Sequence, residues 1–252
     1  MNAMFKHPAR VLGRLCRVGG ELALAALSYV ARCAFRGKAA PIARAMWMQH
    51  CARRLLRAFG VESEVTGAIP SRGLLVCNHL SYVDILVIGA IAPAVFVSKQ
   101  EVKYWPVFGW FAMMAGTIFV DREKRGDAGR LAEEIQAVID GGALVILFPE
   151  GTSSDGSTVL PFKSSLLEPA ARQKHPITAG LIGYELEDGD VSEEVCYWKD
   201  MTLVPHLINL LGKRGIRASL RLGQLSGGST DRKELARQLH KKVMGLRETV
   251  AG

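Results

Sequence analysis

The run Ala143–Phe148 (ALVILF) contains no polar side chain. Gly141-Gly142 precedes it and Pro149 follows, so residues that interrupt regular structure bound it on both sides. A strand with no polar face needs cover on both sides, which fits a buried strand inside a layered domain. Other short apolar runs support the same reading. Leu74–Cys77, Ala94–Ser98, Thr117–Val120, Ile177–Tyr184 and residues 216–222 read as strands. Helical periodicity falls between them, near 83–91, 127–140, 163–173 and 203–211, and again from Thr230 to about 249. Asp127 is placed to cap the second of these, with Leu131, Ile135, Val138 and Ile139 on its inner face. Leu235, Leu239, Val243 and Leu246 line the last. Strands alternating with helices imply an α/β layer architecture.

Charge divides the chain in two. The 252 residues carry a formal net charge of +8, but residues 1–60 hold eleven Lys/Arg against one acid, Glu21, a net of +10. The remaining residues sum to −2. Residues 8–35 read as a helix with Arg10, Arg14, Arg17 and Glu21 in one polar stripe. Pro41 opens a second helix, 41–59, with His50, Arg53, Arg54 and Arg57 on its polar side. Basic amphipathic helices of this kind fit an interfacial membrane anchor; a helical hairpin packed on the domain is the plainer alternative. No nucleic-acid recognition motif accompanies the charge. No uninterrupted apolar run reaches about 18 residues, so no clean transmembrane helix is expected. The apolar Leu22–Ala31 follows a basic region as in a secretory signal, without a clear cleavage site after it. The expected organisation is therefore a helical anchor over 1–60 and a body over 61–252. Cys16, Cys33, Cys51, Cys77 and Cys196 are scattered and odd in number, which argues against a disulfide framework or a zinc knuckle.

Three segments of the body carry chemistry. In Asn78-His79-Leu80-Ser81-Tyr82-Val83-Asp84 a histidine follows a buried strand and a carboxylate stands five residues on, across a helix start. Such a carboxylate can hold one ring nitrogen and leave the other to accept a proton. In Gly116–Arg122 (GTIFVDR) a strand ends on an arginine, which delivers a guanidinium to the edge where α/β proteins bind ligands. In Phe148–Ser153 (FPEGTS) the apolar strand breaks at Pro149 and presents Glu150, Gly151 and two hydroxyls. Turn chemistry accounts for the proline and glycine but does not require Glu150.

Taken in order, these blocks resemble the glycerolipid acyltransferases of the 1-acyl-sn-glycerol-3-phosphate (lysophosphatidate) acyltransferase type, over roughly residues 60–190. That family carries HxxxxD, then G-x-x-F-x-x-R, then F-P-E-G-T. The resemblance implies a mixed sheet flanked by helices. It makes His79 and Asp84 the catalytic pair, with His79 as base and Asp84 orienting it. It assigns acceptor binding to Arg122, Glu150, Gly151 and Thr152, with Lys163 as a further phosphate ligand. Ala179 stands where the family's fourth block usually carries proline. The segment LPFKSSLLEPA, with Trp198–Met201 and Pro205-His206, is similar to a subset that includes lyso-ornithine-lipid acyltransferases. The implied reaction moves a fatty acyl group from acyl-CoA or acyl-carrier protein to the sn-2 hydroxyl of 1-acyl-sn-glycerol-3-phosphate, giving phosphatidic acid. No bound cofactor or metal is expected. The implied place of work is the cytoplasmic face of the inner membrane, on an anionic lipid surface.

Other classes use parts of the same set. A serine hydrolase would share His and Asp, but Gly151–Asp155 (GTSSD) fails G-x-S-x-G at its last position. A metal hydrolase would need His79, Asp84 and Glu150 as ligands. A non-catalytic lipid-binding protein would keep the anchor and not the chemistry.

Overall fold

The computed structural model describes residues 7–36, 40–121, 128–172 and 175–248. Two N-terminal helices, α1 (Pro8–Arg36) and α2 (Pro41–Phe59), lead into β1 (Val61–Thr66) and β2 (Gly73–Cys77). Then follow α3 (Val83–Ile91), β3 (Ala94–Lys99), a 3-10 turn (Gln100–Tyr104), α4 (Phe108–Ala115) and β4 (Ile118–Val120). The chain continues through α5 (Ala128–Asp140), β5 (Leu144–Leu147), a 3-10 turn (Ser164–Leu167) and α6 (Glu168–Arg172). It closes with β6 (Ile177–Leu186), α7 (Val191–Glu194), α8 (Leu203–Gly212), β7 (Ile216–Leu225) and α9 (Arg232–Glu248).

The strands form one sheet in the order β1-β7-β6-β2-β5-β3-β4. β6, β2, β5, β3 and β4 run parallel; β7 is antiparallel to β6, and β1 is parallel to β7. The sheet is therefore mixed, as expected. The fully apolar β5 lies between β2 and β3, and all four of its residues are buried. Alternate residues of the central strands serve two cores. Leu75, Cys77 and Ile146 pack with α2, α3 and α8, whereas Leu74, Val76 and Val145 pack with α5, α6 and α9.

Two elements carry no sequence signal of their kind. β1 (VESEVT) pairs only with β7 at the sheet edge and exposes Glu62, Ser63 and Glu64, so it lacks an apolar run. α4 (FGWFAMMA) is apolar all round and therefore shows no helical periodicity. The proposed Asp127 cap lies outside the described residues.

The N-terminal helices lie antiparallel and are welded to the sheet. Ala52, Leu55, Leu56 and Phe59 of α2 belong to the core that α3 also fills. From α1, Arg14 Nη1 donates to the carbonyls of Leu211 (3.2 Å) and Lys213 (2.6 Å), and Arg10 to Gly212 (2.9 Å). These are the carbonyls at the end of α8, where a helix best accepts positive charge. Glu21 pairs with Arg54 at 2.5 Å. The break at residue 60 is thus a break in charge and not in packing.

Only every seventh residue of α1 is buried: Val11, Val18 and Ala25. Leu12, Leu24, Leu27 and Val30 point outward. Within Pro8–Phe35 the helix has an 18-residue window apolar enough, by length and composition, to cross a membrane. Charged residues interrupt the apolar run, yet they are spaced so that an 18-residue window holds no more than two.

Because α2 supplies one wall of the core, removing residues 1–59 is expected to abolish cooperative unfolding. Near-ultraviolet circular dichroism and a urea titration of the truncated chain check this. A sharp transition like that of the full chain would show the hairpin to be dispensable.

Candidate active site

β2 ends at Cys77, and Asn78 continues its path as a side-chain splice. Asn78 Nδ2 donates to Ile182 O (3.0 Å), and Ile182 N donates to Asn78 Oδ1 (2.7 Å). The backbone is thereby freed to turn at His79 while β2 stays bonded to β6. Residues 79–84 then wrap around the Asp84 carboxylate in the first turn of α3. Oδ2 of Asp84 accepts from Leu80 N (2.7 Å) and Ser81 N (3.0 Å), and meets His79 Nδ1 at 2.8 Å. Oδ1 accepts from the Tyr184 hydroxyl at 2.5 Å. Asp84 has no exposed surface. Burial and the neighbouring carboxylate push the Tyr184 phenol well above its usual range, so it stays a donor.

The histidine is held on its other side as well. Its ring stacks on Phe148 at 4.2 Å between centroids, 18° from parallel. With Nδ1 donating to Asp84, the neutral ring keeps its lone pair on Nε2. The His79 side chain is 21 % exposed, so that nitrogen can meet a substrate.

The segment after β5 closes over this loop. Gly151 N donates to Phe148 O (3.1 Å), and Gly151 sits at φ 75°, a left-handed turn that favours glycine. Ser154 N donates to His79 O (3.0 Å), Tyr197 N to Leu80 O (2.8 Å), and Ser153 Oγ to Tyr197 O. Glu150 is 2 % exposed, and neither carboxyl oxygen has a hydrogen bond of normal geometry. Burial pushes its pKa up to about 8, with the backbone of His79 and Leu160 pulling it part of the way back and Asp84 adding to the rise. Glu150 is therefore a largely neutral acid at pH 7, beside a fully hydrogen-bonded Asp84.

The sequence-predicted residues separate as follows. His79, Asp84 and Glu150 come together at the carboxyl edge of β2 and β5, and Gly151 forms the turn. Thr152 is exposed, and its hydroxyl reaches only Ser153 O (3.4 Å). Lys163 is exposed, while its backbone N–H is fixed to Pro149 O (2.8 Å). Arg122 lies outside the described residues. Val120, two residues before it, ends β4, three strands from β2 and so about 14 Å across the sheet. Gly116 of the same block caps α4 at φ 84°. Ala179 is buried inside β6, paired with Val76 and Gly223, below the site and not at its mouth.

Sequence reasoning assigned no role to Asn78, Tyr184 or Phe148, which hold the pair. His206 also finds its place: Nε2 donates to Cys196 O (3.0 Å), and the Tyr82 hydroxyl donates to Nδ1 (3.0 Å). Burial keeps this imidazole neutral. The metal alternative fits poorly, because both Asp84 oxygens are already engaged by donors.

A mixed seven-stranded sheet with a buried His–Asp loop at its carboxyl edge is the architecture of a lipid acyltransferase. The chain superposes on the crystal structure of the 1-acyl-sn-glycerophosphate (LPA) acyltransferase of Thermotoga maritima with a TM-score of 0.72, at 18 % identity, over 99 % of this chain and 98 % of that one. The acyltransferase family model matches residues 61–182. The lyso-ornithine lipid O-acyltransferase of Brucella abortus is 34 % identical over 77 % of this chain and 79 % of its own length. The Pseudomonas aeruginosa protein of the same name is 35 % identical, over 75 % and 74 %. A 1-acyl-sn-glycerol-3-phosphate acyltransferase of Neisseria meningitidis is 32 % identical, over 60 % and 64 %. The chain belongs to this acyltransferase family.

The raised pKa of Glu150 predicts a pH dependence of stability. Below about pH 4.5 Glu150 is protonated in folded and unfolded chains alike. Between there and about 8 only the unfolded chain releases the proton, so stability falls as pH rises and then levels off. Glu150→Gln removes that slope. Its stability relative to wild type is expected to rise from pH 5 to pH 8 by roughly 2–4 kcal/mol. Urea midpoints at four pH values check this, and parallel curves for the two proteins would refute it.

Proposed function

We propose that this acyltransferase esterifies the free hydroxyl of a lyso-lipid with a fatty acyl group taken from acyl-CoA or acyl-carrier protein. The observation that carries the reading is a partly exposed His79 clamped at Nδ1 by a buried carboxylate. Nε2 takes the acceptor hydroxyl's proton as its oxygen attacks the thioester carbonyl. The C–S bond then breaks, the ester C–O bond remains, and His79 returns its proton to the departing thiolate. Asp84 stabilises the imidazolium between these steps and keeps the ring in one tautomer. No acyl-enzyme forms, since the acceptor attacks directly. In this reading Arg122 meets the acceptor's anionic group, Lys163 adds positive charge at the rim, and the Glu150–Thr152 turn shapes the acceptor side.

For the acceptor we favour lyso-ornithine lipid. Three relatives of that name match over about three quarters of their length, and the segment around Trp198 and His206 resembles that subset. The second reading is 1-acyl-sn-glycerol-3-phosphate, supported by the FPEGTS block and by relatives with that activity in their names. A non-catalytic lipid-binding role is disfavoured by the intact His79–Asp84 pair.

Purified protein offered one radiolabelled thioester and a panel of lyso-lipids separates these readings. Lyso-ornithine lipid is expected to be acylated at least tenfold faster than lysophosphatidate; the reverse order would select the second reading. His79→Ala is expected to lower turnover by about 10²–10⁴-fold in a folded protein. Ser153→Ala is expected to leave most of it. Near-normal turnover without His79 would overturn the mechanism.

A further inference from the structure

The stretch 104–120 contains no charged residue, although it lies in the body of the chain and outside the basic hairpin. Much of it is not inside the protein. Tyr104 is 74 % exposed and Trp110 65 %, and Trp105, Val107, Phe108 and Met113 are exposed as well. An apolar surface of this density marks an interaction site on a soluble face.

The segment is built to hold these side chains outward. Val107 sits at φ 64°, ψ −58°, and Phe108 N donates to Pro106 O at 2.7 Å. That is a tight γ-turn of the strained sense, centred on a β-branched residue. Around it Trp105 N bonds Val102 O, Gly109 N bonds Trp105 O (2.9 Å) and Phe111 N bonds Val107 O. Gly109 is packed so closely that a Cβ there would lie 2.2 Å from Lys103 O. The elbow Tyr104–Trp110 is thus a framed projection, and strain of this kind persists where the surroundings over-determine it.

Its position joins two features already described. On one side, α4 is fixed to the hairpin: Arg44 of α2 donates to the Met113 and Met114 carbonyls, and Trp47 stacks on Phe111 at 6.2 Å. Trp47 also meets Tyr29 of α1 at 5.3 Å, next to the outward-facing Leu27 and Val30. One apolar cluster around Trp47 therefore ties α4 to both helices of the hairpin. On the other side, Phe108 meets the ring of Tyr82, within the His79–Asp84 loop, at 6.4 Å.

We propose that the Tyr104–Trp110 elbow is a second membrane-insertion element, which seats the mouth of the active site in the interfacial layer of a phospholipid bilayer. A lipid surface fits better than a protein partner for two reasons. Tyr and Trp are the residues that favour the headgroup boundary, with apolar bodies and polar tips. The elbow is also held, through the Trp47 cluster, to α1, a helix long and apolar enough to cross a membrane. A lipid acceptor entering along Phe108 would reach His79 without leaving the bilayer boundary. This inference rests on the membrane-surface reading of the protein and extends it to the catalytic body.

The test uses the full chain and vesicles of phosphatidylcholine with phosphatidylglycerol, whose acyl chains are brominated near the headgroup. The four tryptophans are Trp47, Trp105, Trp110 and Trp198. Bromolipid is expected to quench the native fluorescence; Trp105→Phe with Trp110→Phe removes most of that quenching, whereas Trp198→Phe leaves it. Trp110→Glu, an exposed change, is expected to weaken vesicle partitioning about tenfold while leaving the urea midpoint unchanged. Vesicle binding by the native chain with quenching unaffected by Trp105→Phe and Trp110→Phe would overturn the elbow alone. Failure of the native chain to bind vesicles would remove the membrane-surface reading as well. A lipid-free dimer that Trp110→Glu converts to monomer, with vesicle binding unchanged, would assign the patch to a second copy of the chain and refute the proposal.

Discussion

The Asp84 carboxylate is the point on which the site and much of the sheet depend. It is wholly buried, and such a charge is tolerable only when donors surround it. The two N–H groups of Leu80 and Ser81, the His79 ring and the Tyr184 hydroxyl supply four. Three come from the loop between β2 and α3 and the fourth from β6. The hydrogen bonds that stabilise the charge therefore also fix the histidine and join a strand end, a helix start and a neighbouring strand. An alanine at Asp84 would leave those donors buried and unpaired, which is costly in itself.

Glu150, close by, shows the opposite solution. Its carboxyl is buried with no such set of donors, and the proton stays on to about pH 8. One site thus holds a carboxylate ringed by donors and a carboxyl group whose pKa burial raises, and their surroundings differ accordingly. Beneath both, the Asn78 side chain continues the β2–β6 ladder where the backbone has to leave it. The catalytic loop can turn sharply without opening the sheet.

The second physical theme is apolar surface without cover. α1 buries one residue in seven and turns leucines outward; α4 does the same with aromatic rings. Arg44 and Trp47 lock these two surfaces into one body with the core. Arg10 and Arg14 of α1 cap α8. Charge counting located the helical hairpin in the chain, but not what each arginine does.

Much of this was legible in the residues. ALVILF between glycines and a proline could only be a central strand, and β5 is one, because no polar face was offered to water. NHLSYVD, with five residues from His79 to Asp84, carried the pair, since that spacing lets a loop close on a helix start. Periodicity found α1, α2, α5 and α9 because each has one apolar side. It missed α4, which is apolar throughout, and β1, which is polar and edge-on. Only the tertiary structure could decide the rest. Tyr184 lies 100 residues from Asp84 and meets it because β6 happens to pair with β2. Glu150 keeps its proton because folding removes water from it, and Trp110 stays exposed because a strained turn at Val107 points α4 outward. The sequence by itself determined which chemistry the chain can carry, since that depends on local spacing. Which groups are buried, paired or left exposed was decided only by packing between segments far apart in the chain.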